Sequence, residues 1–364
     1  MNPRLHCFTS LLMLLLAYSS NTDRQLWADD VTWLKDVTSP KIEIVSDLSS
    51  VLKATDGSNI TSKKQWHKQR ATIDNYWRMF LGPLPQPTKD LNVQRLKTEQ
   101  LEKCTRTLIQ YTAESGRTVK AYLLEPKGAK QKKCPAVVVF HGTNAQTFQK
   151  VAGLIGEPER HIGLRLAQRG YVAICPENFL WEEKSYLAST AAAKQRHPNS
   201  KGMATMLADG IRAVDVLETL PQVDETRIGA IGHSLGGKET LYLAAFDSRI
   251  KAAVASEGGI GLAFTNWDAP WYLGPEIKQA NFSHDHHELL ALIAPRPFLV
   301  LGGETGRGCS DGQRTWPYVQ QAQLVCELLN APVRMGLLNH HQGHSLSWEI
   351  GEKAIQWLDV YLDE

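Results

Sequence analysis

A serine between two glycines is the strongest chemical signal in the sequence. Residues 232–236 read Gly-His-Ser-Leu-Gly, with a β-like run before them at residues 227–231 and a helix-like run after them at residues 241–246. A sharp turn between a strand and a helix exposes a serine hydroxyl, and glycine at the flanking positions avoids collisions with neighbouring backbone. The pattern therefore predicts that Ser234 is a nucleophile for acyl transfer.

Backbone N–H groups beside such a serine can stabilise the negative charge that develops on the attacked carbonyl oxygen. Leu235 would open the following helix, and a helix N-terminus favours negative charge. A second donor is expected from the loop after the apolar run at residues 135–140, where Thr143 and Asn144 are the candidates. The predicted oxyanion hole is therefore Leu235 together with Thr143 or Asn144.

A serine hydroxyl is a weak nucleophile until a base accepts its proton. The predicted base is His344, on a loop between the strand-like run at residues 333–338 and the C-terminal helix-like segment. His340 and His341 are alternatives on the same loop. The Gly-His pair at residues 343–344 favours His344.

Two positions compete for the acid that would orient this histidine. Asp311 follows the strand-like run at residues 298–301, with Glu304 nearer the end of that run, whereas Glu257 ends the preceding strand. Either carboxylate could hold the imidazole of His344 and stabilise its cation. Spacing alone leaves both open, because loop carboxylates are usually only solvated.

Strand-like and helix-like runs alternate around these residues. A hairpin is predicted at residues 105–125, and repeated β-α units follow it as far as the helix at residues 349–362. This order favours an α/β fold, with a mostly parallel sheet, helices on both faces and antiparallel N-terminal strands. Residues 101–364 are the predicted catalytic domain, and the irregular stretch at residues 257–291 is interpreted as a cap-like insertion.

The N-terminal hundred residues are predicted to hold a signal peptide and an extension. Residues 1–28 combine Arg4 with an apolar stretch at residues 8–18, which is the layout of a secretory signal. We therefore expect a secreted or periplasmic protein without stable membrane insertion after signal removal. Residues 29–100 form the predicted extension, and the apolar spacing at residues 62–81 indicates an amphipathic helix.

Bulk composition argues against several classes of protein. Hydrophobic residues make up 43% and charged residues 21%, which is typical of a compact globule. The 40 basic and 38 acidic residues give a net charge of only +2, without the one-sided field that nucleic-acid binding needs. The chemistry inferred above requires no cofactor, and the histidines at residues 284–287 are interpreted as packing residues, so no metal is expected.

Four segments resemble secreted bacterial α/β-hydrolases of the dienelactone hydrolase and acetyl xylan esterase type. They are residues 232–237 (Gly-His-Ser-Leu-Gly-Gly), 256–259 (Ser-Glu-Gly-Gly), 287–297 and 343–344 (Gly-His). The resemblance extends over residues 62–364. It implies the α/β-hydrolase fold and a serine esterase activity.

A narrower similarity is to glucuronoyl methylesterases, in which a sugar-contacting lysine and an acid glutamate follow the serine. Lys238 and Glu257 occupy those positions, 4 and 23 residues after Ser234. The similarity therefore favours Glu257 over Asp311 as the acid. His233 and Leu235 stand where Cys and Arg usually flank the serine, and this departure favours the broader carbohydrate-esterase assignment.

Three tryptophans lie in stretches expected at the carboxyl ends of the strands, where sugar rings could stack on them: Trp267, Trp271 and Trp316. Core packing is the other interpretation of these indoles, and an ordinary surface lysine is the other interpretation of Lys238. Together the patterns predict a secreted serine carboxylic-ester hydrolase that forms an acyl-serine on acetyl or glucuronoyl esters of carbohydrates. The alternatives are a prolyl-oligopeptidase-like serine peptidase and a non-catalytic glycan-binding protein.

Overall fold

The computed structural model describes residues 32–129 and 133–362. The predicted signal peptide, residues 1–28, lies outside them. The chain divides into two compact units, one ending at Pro40 and one beginning at Lys41. Of the first unit the structure describes helix α1 (Trp33–Thr38). All elements discussed below belong to the second unit.

Strands and helices alternate along most of the second unit. Its strands are β1 (Gln94–Gln100), β2 (Cys104–Glu114), β3 (Arg117–Pro126), β4 (Cys134–Phe140), β5 (Val172–Pro176), β6 (Val223–His233), β7 (Ile250–Ser256), β8 (Phe298–Gly302) and β9 (Met335–Asn339). Its helices are α2 (Lys63–Leu81), α3 (Thr147–Val151), α4 (Ile162–Gln168), α5 (Tyr186–Arg196), α6 (Gly202–Glu218), α7 (Leu235–Phe246), α8 (His287–Ile293), α9 (Trp316–Leu328) and α10 (Trp348–Leu362). Short 3-10 turns occur at Pro158–Arg160, Phe179–Trp181, Pro275–Lys278 and Gln313–Thr315.

The strands form one sheet in the order β1-β2-β3-β5-β4-β6-β7-β8-β9. Strands β1 to β3 pair antiparallel, β3 pairs antiparallel with β5, and every pair from β5 to β9 is parallel. This is the predicted mostly parallel sheet with antiparallel N-terminal strands. Because parallel strands all end at the same edge of a sheet, the loops after β4, β6, β7, β8 and β9 meet there.

Helices cover both faces of this sheet, which explains why strands β4, β5 and β8 are buried throughout. All seven residues of β4 are buried. Val138 and its alternate neighbours pack into the core that includes α6 and α7, whereas Val137 faces the other side. Its strand partner Gly229 lies on that second face against Leu358 and Leu362 of α10.

The structure confirms the predicted amphipathic helix at residues 62–81, which is helix α2. The Ser62 side chain accepts a hydrogen bond from the Gln65 N–H at 3.3 Å and caps its start, and Gly82, with φ of 78°, ends it. The indole of Trp77 is fully buried and donates to Glu288 of α8 at 2.7 Å. The predicted extension, residues 29–100, thus contributes α2 and also β1 to the unit that holds the sheet.

Candidate active site

Ser234 lies in a tight turn between β6 and α7. Its backbone is in a rare conformation, with φ of 62° and ψ of −117°. A β-carbon at Gly232 would lie 2.2 Å from the carbonyl oxygen of Gly236, and one at Gly236 would lie 2.5 Å from the carbonyl oxygen of Phe140. The flanking glycines are therefore a steric requirement of the turn that presents Ser234.

Replacement of Gly232 by alanine is expected to destabilise the protein by about 3 kcal/mol or more, because the new methyl collides with backbone that cannot move away. The matched control is Gly116→Asn in the β2–β3 turn. There no atom lies within 4 Å of the added β-carbon, and asparagine tolerates the φ of 76°. Chemical denaturation should show a large loss of unfolding free energy in Gly232→Ala and a change of less than about 1 kcal/mol in Gly116→Asn. Equal shifts would contradict the steric argument.

A cavity of about 350 Å³ lies against Ser234. Residues from the carboxyl edge of the sheet line one part of it, including Ser256 and His344. The segment between β4 and α4 lines the other part, and we call four of its residues the charged wall: Lys150, Glu157, Glu159 and Arg160. The volume is near the lower end for ligand pockets and suits one small group of a substrate.

His344 reaches the same cavity from the loop after β9 and faces Glu257. Its Nδ1 lies 3.7 Å from Oε2 of Glu257 and 3.5 Å from the Ser310 hydroxyl. The imidazole is 30% exposed, whereas the Glu257 carboxylate is fully buried. With Nδ1 turned towards the acid, Nε2 is the nitrogen left to serve as a base.

Glu257 is held at the end of β7 by groups from two other loops. Its Oε1 accepts a hydrogen bond from the Gly303 N–H, and its Oε2 accepts one from the Ser310 N–H, both at 2.6 Å. Burial alone would raise the pKa of this carboxyl, but the contacts with His340, His344 and Ser310 outweigh it and lower the pKa. Glu257 therefore stays ionised at neutral pH.

His340 is the second histidine on this carboxylate. Its Nε2 lies 3.1 Å from Oε1 of Glu257, closer than His344 comes to Oε2. Its side chain is only 3% exposed, and it is not among the residues that line the Ser234 cavity. Of the two histidines on Glu257, His344 is therefore the one that lines the cavity with Ser234.

Asp311, on the loop after β8, contacts the loop that follows Glu257 and not His344. Its two oxygens accept hydrogen bonds from the Gly259 and Ile260 N–H groups at 2.8 and 2.7 Å, and the Thr315 hydroxyl donates to it at 2.9 Å. Burial raises the pKa of this carboxyl. Asp311 therefore anchors the backbone just beyond Glu257, and Glu304 instead contacts His341 at 3.2 Å.

The predicted oxyanion residues surround the turn of Ser234. Leu235 is the first residue of α7, so its N–H has no partner within the helix. Thr143 and Asn144 line the cavity, and the Asn144 side chain donates to the Gly142 carbonyl at 2.9 Å. A β-carbon on Gly142 would come within 3.2 Å of the His233 carbonyl, which shows how closely this loop approaches the turn.

Lys238 is a buried residue of α7, not a cation open to substrate. It is 4% exposed, its ammonium donates to the Gly258 carbonyl at 2.7 Å and to the Thr265 hydroxyl, and it lies 4.0 Å from the ring centroid of Trp267. Burial lowers its pKa to about 7, although Asp311 acts in the opposite direction. The sugar contact that the resemblance implied for Lys238 is not available in this arrangement.

Replacement of Lys238 by methionine is expected to change how stability depends on pH. The pKa of an unfolded lysine is about 10.4, and burial lowers that of Lys238 to about 7. The unfolded chain thus binds the extra proton between these values. Wild type should gain up to about 1.4 kcal/mol per pH unit in that range, a gain that Lys238→Met lacks. Urea midpoints at about pH 6, 8 and 9.5 measure the difference, and parallel profiles would refute it.

The three tryptophans proposed as sugar platforms differ in exposure. Trp267 is fully buried and Trp316 is 4% exposed, so the prediction that they offer open faces is wrong and core packing applies to both. Trp271 is half-buried and packs edge-on against Tyr186. The indole of Trp267, which lies over the Lys238 ammonium, instead covers a buried cation.

The described part of the chain contains neither a cluster of metal-binding side chains nor a membrane-spanning helix. Within residues 32–129 and 133–362, no three His, Cys, Asp or Glu side chains are grouped so as to hold a metal ion. In the same residues, no helix has the length and apolarity needed to cross a bilayer.

Sequence patterns missed several residues around the site. The Ser310 N–H contacts Glu257, and the Ser256 hydroxyl is hydrogen-bonded to His233 at 2.9 Å. His340, which the sequence offered only as an alternative base, is a second histidine in contact with Glu257. Burial lowers the pKa of His233 well below its usual value, so this imidazole is neutral. Two features of the sequence could have pointed to these residues: the glycine-rich run at residues 302–312 and the position of His233 next to Ser234.

Comparisons with known proteins agree with this architecture. Residues 119–293 match the model of the Dienelactone hydrolase family. The Bacillus subtilis protein YtaP, described only as a hydrolase, is 27% identical over 235 residues, which cover 62% of this chain and 77% of YtaP. A 4-O-methyl-glucuronoyl methylesterase of Hypocrea jecorina is 34% identical over 131 residues, but these cover only 28% of each chain.

A solved structure extends the likeness to most of the chain. The glucuronoyl esterase from Solibacter usitatus superposes with a TM-score of 0.71, covering 88% of this chain and 99% of that enzyme at 18% identity. At such identity the superposition establishes the fold alone. The predicted α/β-hydrolase fold is confirmed.

Proposed function

We propose that this chain, whose residues 119–293 match the model of the Dienelactone hydrolase family, is a serine carboxylic-ester hydrolase. The observation that supports this most is the convergence of Ser234 and His344 on one cavity, with the buried carboxylate of Glu257 behind His344. Along the chain the proposed nucleophile Ser234 comes first, the acid Glu257 second and the base His344 last, which is the order serine, acid, histidine. Asp311 has its oxygens occupied by backbone and is assigned an anchoring role.

In the proposed reaction, Ser234 Oγ attacks the ester carbonyl while His344 Nε2 accepts its proton. The negative charge on the carbonyl oxygen is stabilised by the Leu235 N–H and by a donor from Thr143 or Asn144. The protonated His344 then gives its proton to the leaving alcohol, and an acyl-serine remains. Water, deprotonated by His344, attacks the acyl group, and the acid is released as Ser234 regains its proton.

The substrate proposed is an ester on a carbohydrate, carrying an acetyl group or a glucuronoyl ester. Its support is the similarity to enzymes named for glucuronoyl esters. A small cavity against Ser234, of about 350 Å³, also suits a short acyl or alkyl group better than a long chain. Export of the enzyme, which the N-terminal sequence predicts, would bring it to polymeric substrates.

A substrate panel tests this function directly. Purified protein is offered acetylated xylan, the methyl ester of glucuronic acid and an aminoacyl-proline anilide, and labelling by a fluorophosphonate probe is followed by peptide mapping. We expect probe attachment at Ser234 and release of acetate or methanol. Cleavage of the anilide alone would favour a peptidase, and absence of labelling would favour a non-catalytic binding protein.

A further inference from the structure

A buried histidine, His141, is the first residue of the loop after β4. Its side chain has a partner at each ring nitrogen, and the residue is 1% exposed. The backbone N–H of Asn178 donates to Nε2, with 3.1 Å between the two nitrogens, and Nδ1 lies 2.9 Å from the carbonyl oxygen of Gly142. Because a backbone N–H can only donate, Nε2 is the acceptor, and a neutral ring carries its proton on Nδ1.

Burial keeps this imidazole uncharged. It lowers the pKa of His141 to about 4, although the bond to the Gly142 carbonyl acts in the opposite direction. A charged ring would turn a second N–H group towards the Asn178 N–H, so the neutral form with its proton on Nδ1 is the one that satisfies both partners. The tautomer of His141 is therefore fixed by its surroundings, and its proton is directed at Gly142.

The Gly142 carbonyl is held from two sides. The His141 Nδ1–H and the Asn144 side-chain amide both donate to it at 2.9 Å. This carbonyl and the Thr143 N–H belong to one planar trans peptide unit, in which the two groups point in opposite directions. The Thr143 N–H makes no hydrogen bond with any residue that the structure describes, and Thr143 lines the Ser234 cavity. The bonds to the carbonyl thus determine where this N–H points.

Asn178 in turn connects this loop to the helix of the proposed nucleophile. The residue is 4% exposed, and its side-chain NH₂ group donates to Glu239 at 2.9 Å. Glu239 lies on α7, five residues after Ser234, and is itself 4% exposed. A buried series of hydrogen bonds therefore runs from α7 through Asn178 and His141 to the Gly142 carbonyl.

We propose that His141 is a positioning residue, whose Nδ1–H aims the Thr143 N–H at the oxyanion that forms when Ser234 attacks the ester. Asn178 selects the ring tautomer that makes this possible. The inference rests on the proposed function and deepens it, because it names the Thr143 N–H as the second oxyanion donor. The connection to α7 holds this donor in place relative to the first donor, the Leu235 N–H. Donors held in place beforehand need no rearrangement when the charge develops.

The test separates the roles of the two ring nitrogens. An asparagine at position 141 can place its NH₂ group near the site of Nδ1 and still donate to Gly142. A glutamine reaches the site of Nε2 instead and can accept only from Asn178. With p-nitrophenyl acetate, we expect kcat to fall about 10- to 100-fold in His141→Gln, with KM within about threefold of wild type, and to fall less than about threefold in His141→Asn.

Stability is expected to change in the opposite order. His141→Asn leaves the buried Asn178 N–H without its acceptor, so its urea midpoint should lie below that of His141→Gln. If His141 only supported the fold, the less stable variant would be the slower one.

The matched control is His286→Gln. His286 is also buried, with Nδ1 2.7 Å from the Ile260 carbonyl and Nε2 2.9 Å from the Tyr242 hydroxyl, and it does not line the Ser234 cavity. This variant should lose stability and keep kcat within about threefold of wild type.

Two further measurements make the outcome decisive. Full activity in His141→Gln, or equal losses of kcat in His141→Gln and His141→Asn, would overturn the positioning role while an inactive Ser234→Ala upheld the proposed function. Wild-type rates in Ser234→Ala would instead overturn the proposed function, and the inference with it. Long-range ¹H–¹⁵N NMR spectra of the wild-type protein report the tautomer directly. A proton on Nδ1 alone at neutral pH supports the inference, and a proton on Nε2 would overturn it.

Discussion

The Ser234→Ala variant is expected to lose ester hydrolysis by a factor of at least about 10⁴ in kcat, because it lacks the hydroxyl that is proposed to form the acyl intermediate. The methyl group fits the space of the hydroxymethyl, so the unusual backbone of the turn remains as it is. The fold should therefore be retained, with an unfolding midpoint close to that of wild type. Initial rates on p-nitrophenyl acetate and a urea melt measure the two quantities.

Ser256 offers the matched control for that experiment. It lines the same cavity, and its hydroxyl lies 2.9 Å from Nδ1 of His233. Ser256→Ala should keep kcat within about tenfold of wild type, because its loss removes one hydrogen bond and no reacting atom. Wild-type rates in Ser234→Ala, or equal losses in both variants, would show that the nucleophile has been misassigned.

The Glu257→Gln variant is expected to lower kcat by about 10² to 10⁴-fold, because a neutral amide neither orients His344 nor stabilises its cation. The expected loss in Asp311→Asn is less than about tenfold in kcat, with a destabilisation of about 1–3 kcal/mol from a poorly paired backbone N–H. Measurement of kcat and of the unfolding free energy on both proteins distinguishes the two roles.

The two acids form a well-matched pair for this comparison. Each accepts hydrogen bonds from two backbone N–H groups, and the residues are 1% and 2% exposed. An amide at either position turns one NH₂ group towards a donor, so the structural penalty is similar. A larger fall in kcat for Asp311→Asn than for Glu257→Gln would reverse the assignment.

Local sequence was sufficient to predict the turn of Ser234, because a strand, a tight turn and a helix follow one another within 24 residues. It also predicted the central strands, whose burial on both faces makes them continuous apolar runs. Strand β1 was missed since its residues, Gln-Arg-Leu-Lys-Thr-Glu-Gln, are nearly all exposed at the sheet edge and show no apolar alternation.

The choice between Glu257 and Asp311 depended on contacts that spacing cannot reveal. Both carboxylates follow a strand of the same sheet, and both lie at its carboxyl edge. What distinguishes them is which distant group each one faces. Glu257 faces His344 on the loop after β9, whereas Asp311 binds the N–H groups of Gly259 and Ile260. The similarity to glucuronoyl methylesterases favoured Glu257 where spacing did not.

Lys238 and Trp267 show a different limit of sequence reasoning. Helical spacing places Lys238 one turn after Ser234, and a lysine there was expected near substrate or solvent. Helix α7 is buried from Leu235 to Ala245, so it has no solvent side on which the ammonium could emerge. The cation is enclosed instead by Gly258, Thr265 and the Trp267 ring.

Two separate parts of the chain line the Ser234 cavity, so one part can be exchanged without the other. The groups proposed to react are interlocked, since the loops after β7, β8 and β9 hold one another through Glu257, Ser310 and His344. The charged wall comes from a single chain segment between β4 and α4. Exchange of that segment with one from another hydrolase would alter which esters are accepted while the catalytic apparatus is left in place.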